Sequence, residues 1–142
     1  MNIHSTLVWQ DGLSFKVNLD GFEFAIDGDA IAGGKNLGPK PKGLVPVALA
    51  GCSGMDVISI LQKMRQRVSR FEIRTETTVA SAHPKKIESI TVHYLLEGDG
   101  VDPESVKKAI ELSQTKYCGV YATLIPRVTI RHDVTINGQP SP

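Results

Sequence analysis

The sequence predicts an α+β fold with element order βββ–α–ββ–αα–β, and three observations carry that prediction. Apolar and polar residues alternate with the period of a strand near 13–26, 71–79, 89–95 and 127–136. Residues 44–64 abandon that period for a stretch that is apolar on nearly every helical face. Asp102-Pro103-Glu104 then offers a capping carboxylate, a proline suited to the first helical position and an acid in the first turn.

Taken in order, Thr6–Trp9 is the first strand and turns at Asp11-Gly12. Leu13–Leu19 and Phe22–Ile26 alternate, and Asp20-Gly21 between them is a hairpin signal, which gives a three-stranded meander. Residues 27–40 are glycine-rich and run into proline, so they form a loop. The long helix begins near Gly43, because Pro46 fits only in a first turn, where its missing amide has no helical partner. Leu44, Val47, Ala48, Met55, Ile58 and Leu61 share one stripe, while Val45, Leu49, Cys52, Val57, Ile60 and Met64 occupy other faces. The helix becomes polar only at Gln62–Arg67, where cations suit the negative end of the helix dipole.

Two long strands follow, Phe71–Val79 and Ser89–Leu95, joined through Ala82–Lys86. The helix opened by Asp102 has Val106, Ala109, Ile110 and Ser113 on its inner face. A break near Tyr117 and a short helix over Cys118–Leu124 precede the last strand, Arg127–Ile136, and a tail from 137 to 142. The strands are expected to be mostly antiparallel, and residues 1–142 are expected to form one domain. A helix apolar all round needs cover on all sides, which one small domain does not supply. The expectation is therefore an obligate dimer with this helix at its centre.

Composition excludes several functions. Sixteen Lys and Arg against 15 Asp and Glu leave a net charge of +1, so no broad field favours nucleic acid or an anionic membrane. Aromatic residues are 6 %, too few to suggest base-stacking platforms. No unbroken run of about eighteen apolar residues is present, so no membrane span is expected. Met1–Ser5 lacks the charged and apolar regions of a secretory signal, and the expected compartment is the cytoplasm. There, a transient disulfide fits better than a structural one.

The chemistry rests on Cys52 and Cys118, 66 positions apart. Each has a structural reading as a small buried hydrophobe. Each also has a redox reading, in which one thiol attacks an oxidant and the other closes a disulfide. Burial alone would make Cys52 inert, whereas Cys118 at a helix start beside Lys116 would have its acidity enhanced. Two cysteines cannot close a four-ligand zinc site unaided. His4, His83, His93 and His132 are scattered, so no metal site is expected, and Gly33-Gly34-Lys35 lacks the strand, spacing and hydroxyl of a phosphate loop. No cofactor is expected.

Two blocks of sequence resemble the OsmC/Ohr family, in its OsmC-like branch. The first is Gly38-Pro39-Lys40-Pro41 leading to Gly51-Cys52-Ser53-Gly54-Met55-Asp56-Val57-Ile58-Ser59-Ile60-Leu61. The second is Leu112-Ser113-Gln114-Thr115-Lys116-Tyr117-Cys118-Gly119-Val120. The resemblance implies a strand-exchanged homodimer with two central buried helices. It also implies thiol-dependent reduction of organic hydroperoxides, with Cys52 as the peroxidatic and Cys118 as the resolving residue. An external thiol, in this family often a dihydrolipoyl protein, would reduce the disulfide. The chain departs from the pattern where the family has an acid after the helix-start proline and an arginine from the N-terminal region. Here Lys42 and Gly43 fill the first stretch, and residues 1–31 contain no arginine. A cation for the thiolate would then come from Lys116, or from Arg127 or Arg131 of a partner subunit. Two further functions fit the same residues: a non-catalytic dimeric module that binds an apolar small molecule, and a thiol sensor of oxidants.

Overall fold

The computed structural model describes all residues, Met1–Pro142. They form two compact units, Met1–Val45 and Pro46–Pro142.

The first unit is an antiparallel sheet of β1 (Ser5–Asp11), β2 (Ser14–Leu19) and β3 (Phe22–Ile26), in that order. Leu19 pairs with Phe22, so the β2–β3 loop is two residues long. Asp20 and Gly21 both have positive φ, 50° and 91°, as a turn matching the strand twist requires. After β3 the chain wraps around the Asp27 carboxylate, which accepts the amides of Gly28, Lys35 and Leu37 at 2.7, 3.1 and 3.2 Å. These bonds hold its pKa below the ordinary carboxylate value against the opposing effect of burial. Every residue of β1 is exposed, and Leu7, Val8, Trp9 and Phe22 present apolar side chains to the surroundings.

A 3-10 turn over Pro41–Gly43 leads into α1, Leu44–Lys63, so the helix starts one residue beyond the expected Gly43 and Pro46 falls in its first turn. Pro46, Leu49, Ser53, Gly54, Val57 and Leu61 are buried on α1. The helix is buried along that one stripe within the chain, not on all sides. Val47 and Met55, expected on the main apolar stripe, are 63 % and 74 % exposed. The segment Pro41–Lys63 has a best-window mean hydropathy of 1.9, so by length and composition it is apolar enough to cross a membrane. Core helices of soluble proteins pass the same test, and the α1 stripe packs on a sheet.

That sheet has the order β4 (Arg70–Val79), β5 (Ile87–Glu97), β6 (Thr129–Ile136), β7 (Gln139–Ser141). The inward residues of β5, Ile90, Val92, Tyr94 and Leu96, are at most 2 % exposed. They share a core with Leu49, Val57 and Leu61 of α1 and with Val106, Ala109 and Ile110 of α2 (Pro103–Leu112). Gly54 permits close packing, because a Cβ there would lie 2.6 Å from Ile73 Cδ1. Asp102 caps α2 as expected, accepting the Ser105 amide at 3.1 Å.

The strands pair mostly antiparallel, as expected, and the exception is β6, which runs parallel to β5. The intervening helices carry the chain back across the sheet, and a parallel neighbour needs such a crossover. Residues expected as tail instead turn at Asn137-Gly138, with φ of 49° and 78°, and pair as β7 along β6. Pro140 is tolerated there because β7 is an edge strand.

Candidate functional site

The break near Tyr117 is a π-helical turn, Ser113–Tyr117, that ends in extended backbone at Cys118 (φ −78°, ψ 100°). Cys118 is the cap of α3 (Gly119–Leu124), not its first residue, and its sulfur accepts the Tyr121 amide at 3.3 Å. The reversal of direction turns this sulfur toward α1. There Cys52 and Asp56, four residues apart, share a helical face. The two sulfurs and one Asp56 carboxylate oxygen lie within 4.8 Å of one another. Cys118 is buried and Cys52 half-buried, and both are free thiols.

A hydroxyl network supports this cluster. The Tyr94 phenol of β5 shares a short hydrogen bond with Ser53 Oγ. Ser113 Oγ donates to Asp56 Oδ2 at 2.9 Å and lies 3.4 Å from Ser53 Oγ. Ser53 and Ser113 are 3 % and 0 % exposed, so each needs these partners. Phe71 stacks on Tyr94 at 6.4 Å and His132 meets it edge-on at 6.1 Å. Burial raises the Tyr94 pKa and lowers that of His132.

The electrostatics reverse the expectation for Cys118. Its thiol is pushed up to about 11. Burial is the main cause, and the hydrogen bond to Cys52 adds to it. The Tyr121 amide acts the other way but is outweighed, and the charges of Cys52 and Asp56 oppose ionisation further. No cation is among the groups that shift it. Lys116, expected to assist, sits 5.4 Å from the centre of the Tyr117 ring. A cleft of about 500 Å³ reaches the cluster at Asp56, lined by Ile60, Met64, Leu112 and Tyr117, with Lys63 on its wall.

Sequence reasoning named both cysteines and left their meeting open; the fold brings them together. It did not assign Asp56, Tyr94 or Ser113 to the site. Signals for them existed: Asp56 follows Cys52 by one helical turn, Tyr94 shares one strand face with its apolar neighbours Val92 and Leu96, and Ser113 lies on the expected inner face of its helix. No histidine belongs to the Cys52–Asp56–Cys118 group, although His132 reaches the supporting Tyr94. His93 bonds Asp133 at 2.8 Å and lies 3.5 Å from Glu76.

The fold is that of OsmC-like proteins. The OsmC-like protein family model matches residues 33–133, and the chain belongs to that family. It is 33 % identical over 129 residues to Protein YhfA of Escherichia coli strain K12, covering 90 % of this chain and 93 % of that one. A hypothetical protein from Aquifex aeolicus VF5 is similar in structure, with TM-score 0.81, 28 % identity and coverage of 96 % and 98 % of the two chains. An organic hydroperoxide resistance protein from Elizabethkingia anophelis shares the fold at TM-score 0.73 and 15 % identity, over 96 % of this chain and 97 % of that one.

Proposed function

We propose that this chain is a dithiol peroxidase for organic hydroperoxides, in which Cys52 attacks and Cys118 resolves. The observation that supports it most is the approach of two sulfurs 66 residues apart to within 4.8 Å, on elements held by buried hydrogen bonds. The half-buried Cys52 is the more accessible thiol, while Cys118 is 3 % exposed.

In the first step the Cys52 thiolate attacks the distal oxygen of ROOH. The O–O bond breaks, Cys52 becomes a sulfenic acid, and RO⁻ takes a proton to leave as ROH. Cys118 then attacks the sulfenic sulfur, and the S–S bond forms as hydroxide leaves and is protonated to water. Oxidation of Cys52 removes the thiol hydrogen bond and the charge that oppose ionisation of Cys118, while the Tyr121 amide bond remains. The resolving thiol thus gains acidity at the step that needs it. The Asp56 carboxylate, within 4.8 Å of both sulfurs, is positioned to accept a thiol proton. The cleft beside Asp56 has apolar walls suited to the R group of the substrate. An external dithiol, of the dihydrolipoyl kind, would return the disulfide to two thiols.

The working form in this reading is a cytoplasmic homodimer. The open faces of β1 and of α1, with Trp9 60 % and Met55 74 % exposed, supply the apolar area that a second copy would cover. No cation is among the groups that shift the Cys118 thiol, and that favours a second reading, a non-catalytic dimeric module that binds an apolar molecule in the same cleft. Turnover of cumene hydroperoxide with dihydrolipoamide separates the two. The peroxidase account expects turnover in the native chain, none in Cys52→Ser, and a single round in Cys118→Ser. Undiminished turnover in Cys52→Ser would overturn it.

A further inference from the structure

The cluster beneath the cleft has the composition of a metal site. Two thiols and one carboxylate from two separate elements have one donor atom each within 4.8 Å of the others, a spread that a tetrahedral zinc ion spans with small side-chain adjustments. None of the three is an isolated surface group: Cys118 is buried, and Cys52 and Asp56 are half-buried. Two of them have outer partners of the kind that orient ligands. The fully buried Ser113 hydroxyl donates to Asp56 Oδ2 at 2.9 Å, and the Tyr121 amide donates to the Cys118 sulfur at 3.3 Å. Ser113 is itself held by Ser53, which the Tyr94 phenol fixes from the sheet.

We propose that reduced Cys52 and Cys118 together with Asp56 bind one thiophilic divalent cation, Zn²⁺ or its analogues, leaving a fourth coordination position for water or an incoming ligand. Two cysteines alone do not make such a site. The carboxylate one turn along α1 is the third ligand, and three protein ligands with one open position is the pattern of a reactive zinc centre. Thiolate donors select this class of ion over Mg²⁺ or Ca²⁺. The metal and the disulfide use the same sulfurs and exclude each other, so the ion would occupy the reduced protein and be absent from the oxidised one.

The experiment is an anaerobic titration of the reduced full-length protein with Co²⁺, followed by competition with Zn²⁺. The expected result is one ion per chain, with a thiolate-to-cobalt charge-transfer band and the visible bands of four-coordinate cobalt, both erased by Zn²⁺. Cys52→Ser and Cys118→Ser should each lose the charge-transfer spectrum of the paired thiolates. Asp56→Asn keeps both thiols and should bind at least about tenfold more weakly, and Ser113→Ala should weaken binding about tenfold through the carboxylate it orients. Circular dichroism on each variant reports whether it has folded. No charge-transfer band in the reduced native chain, or binding undiminished in folded Asp56→Asn, overturns the proposal. The peroxide reaction is measured separately on metal-free protein: a chain that binds cobalt but ignores peroxide refutes the peroxidase and not this site, and the converse result refutes this site alone.

Discussion

The Cys118 thiol offers the sharpest test of the electrostatics. At about 11 instead of the ordinary 9.0, it carries roughly one-hundredth of the usual thiolate fraction at neutral pH. Its 3 % exposure slows any reagent further. Peptide-resolved labelling of the reduced native protein with iodoacetamide should therefore find Cys118 at least about 100-fold slower than a cysteine in an unstructured peptide at pH 7. The rate should rise about tenfold per pH unit and level off only as pH passes about 11. Cys52→Ala removes the second-largest cause of the shift and a like charge, so Cys118 should label faster in that variant. The same shift acts on stability. A proton held more tightly by the folded chain stabilises it fully below 9.0, and that contribution is lost as pH climbs through about 11. A labelling rate that levels off below pH 9, or no acceleration in Cys52→Ala, would refute the reasoning.

Tyr94→Phe deletes the phenol bonded to Ser53 and leaves that buried hydroxyl only Ser113 at 3.4 Å, so urea denaturation should show a loss of ~1–2 kcal/mol with an unchanged m-value. Asp133→Asn tests the sheet-face pair with His93, whose pKa is raised chiefly by the Asp133 hydrogen bond. That contribution is present below about 6.5 and lost as pH rises through the raised value, so the variant should lose up to ~1 kcal/mol at pH 5.5 and markedly less at pH 9. Equal losses at both values would remove the ion pair from the account.

Local signals in the sequence located most of the elements, and non-local ones did not. Asp20-Gly21 marked its hairpin because the turn chemistry lies entirely within two residues. Asn137-Gly138 turns in the same way, but residues 137–142 read as tail, because the pairing that makes them a strand is supplied by β6. The parallel pairing of β5 with β6 depends on where two helices deliver the chain, which no window of sequence reports. The apolar character of α1 was legible, but which stripe is buried was not, because uniform hydrophobicity gives no preferred face. At the site, the motifs drew attention to Cys52 and Cys118, while the sign of the Cys118 shift was misread. A helix-start position argues for acidity, and burial, visible only in the folded chain, outweighs it. The hydrogen bond between Ser113 and Asp56 joins two distant elements through the π-helical turn, so no stretch of sequence reports it.

The central claim is that the two sulfurs exchange a peroxide-derived oxidation. Its most direct measurement is the intact mass and peptide map of the reduced, metal-free protein after one equivalent of cumene hydroperoxide. The account predicts loss of two hydrogens and a single cross-linked peptide joining Cys52 to Cys118 within one chain. Two unmodified thiols, or accumulation of sulfinic acid on Cys52 with Cys118 still reduced, would contradict it.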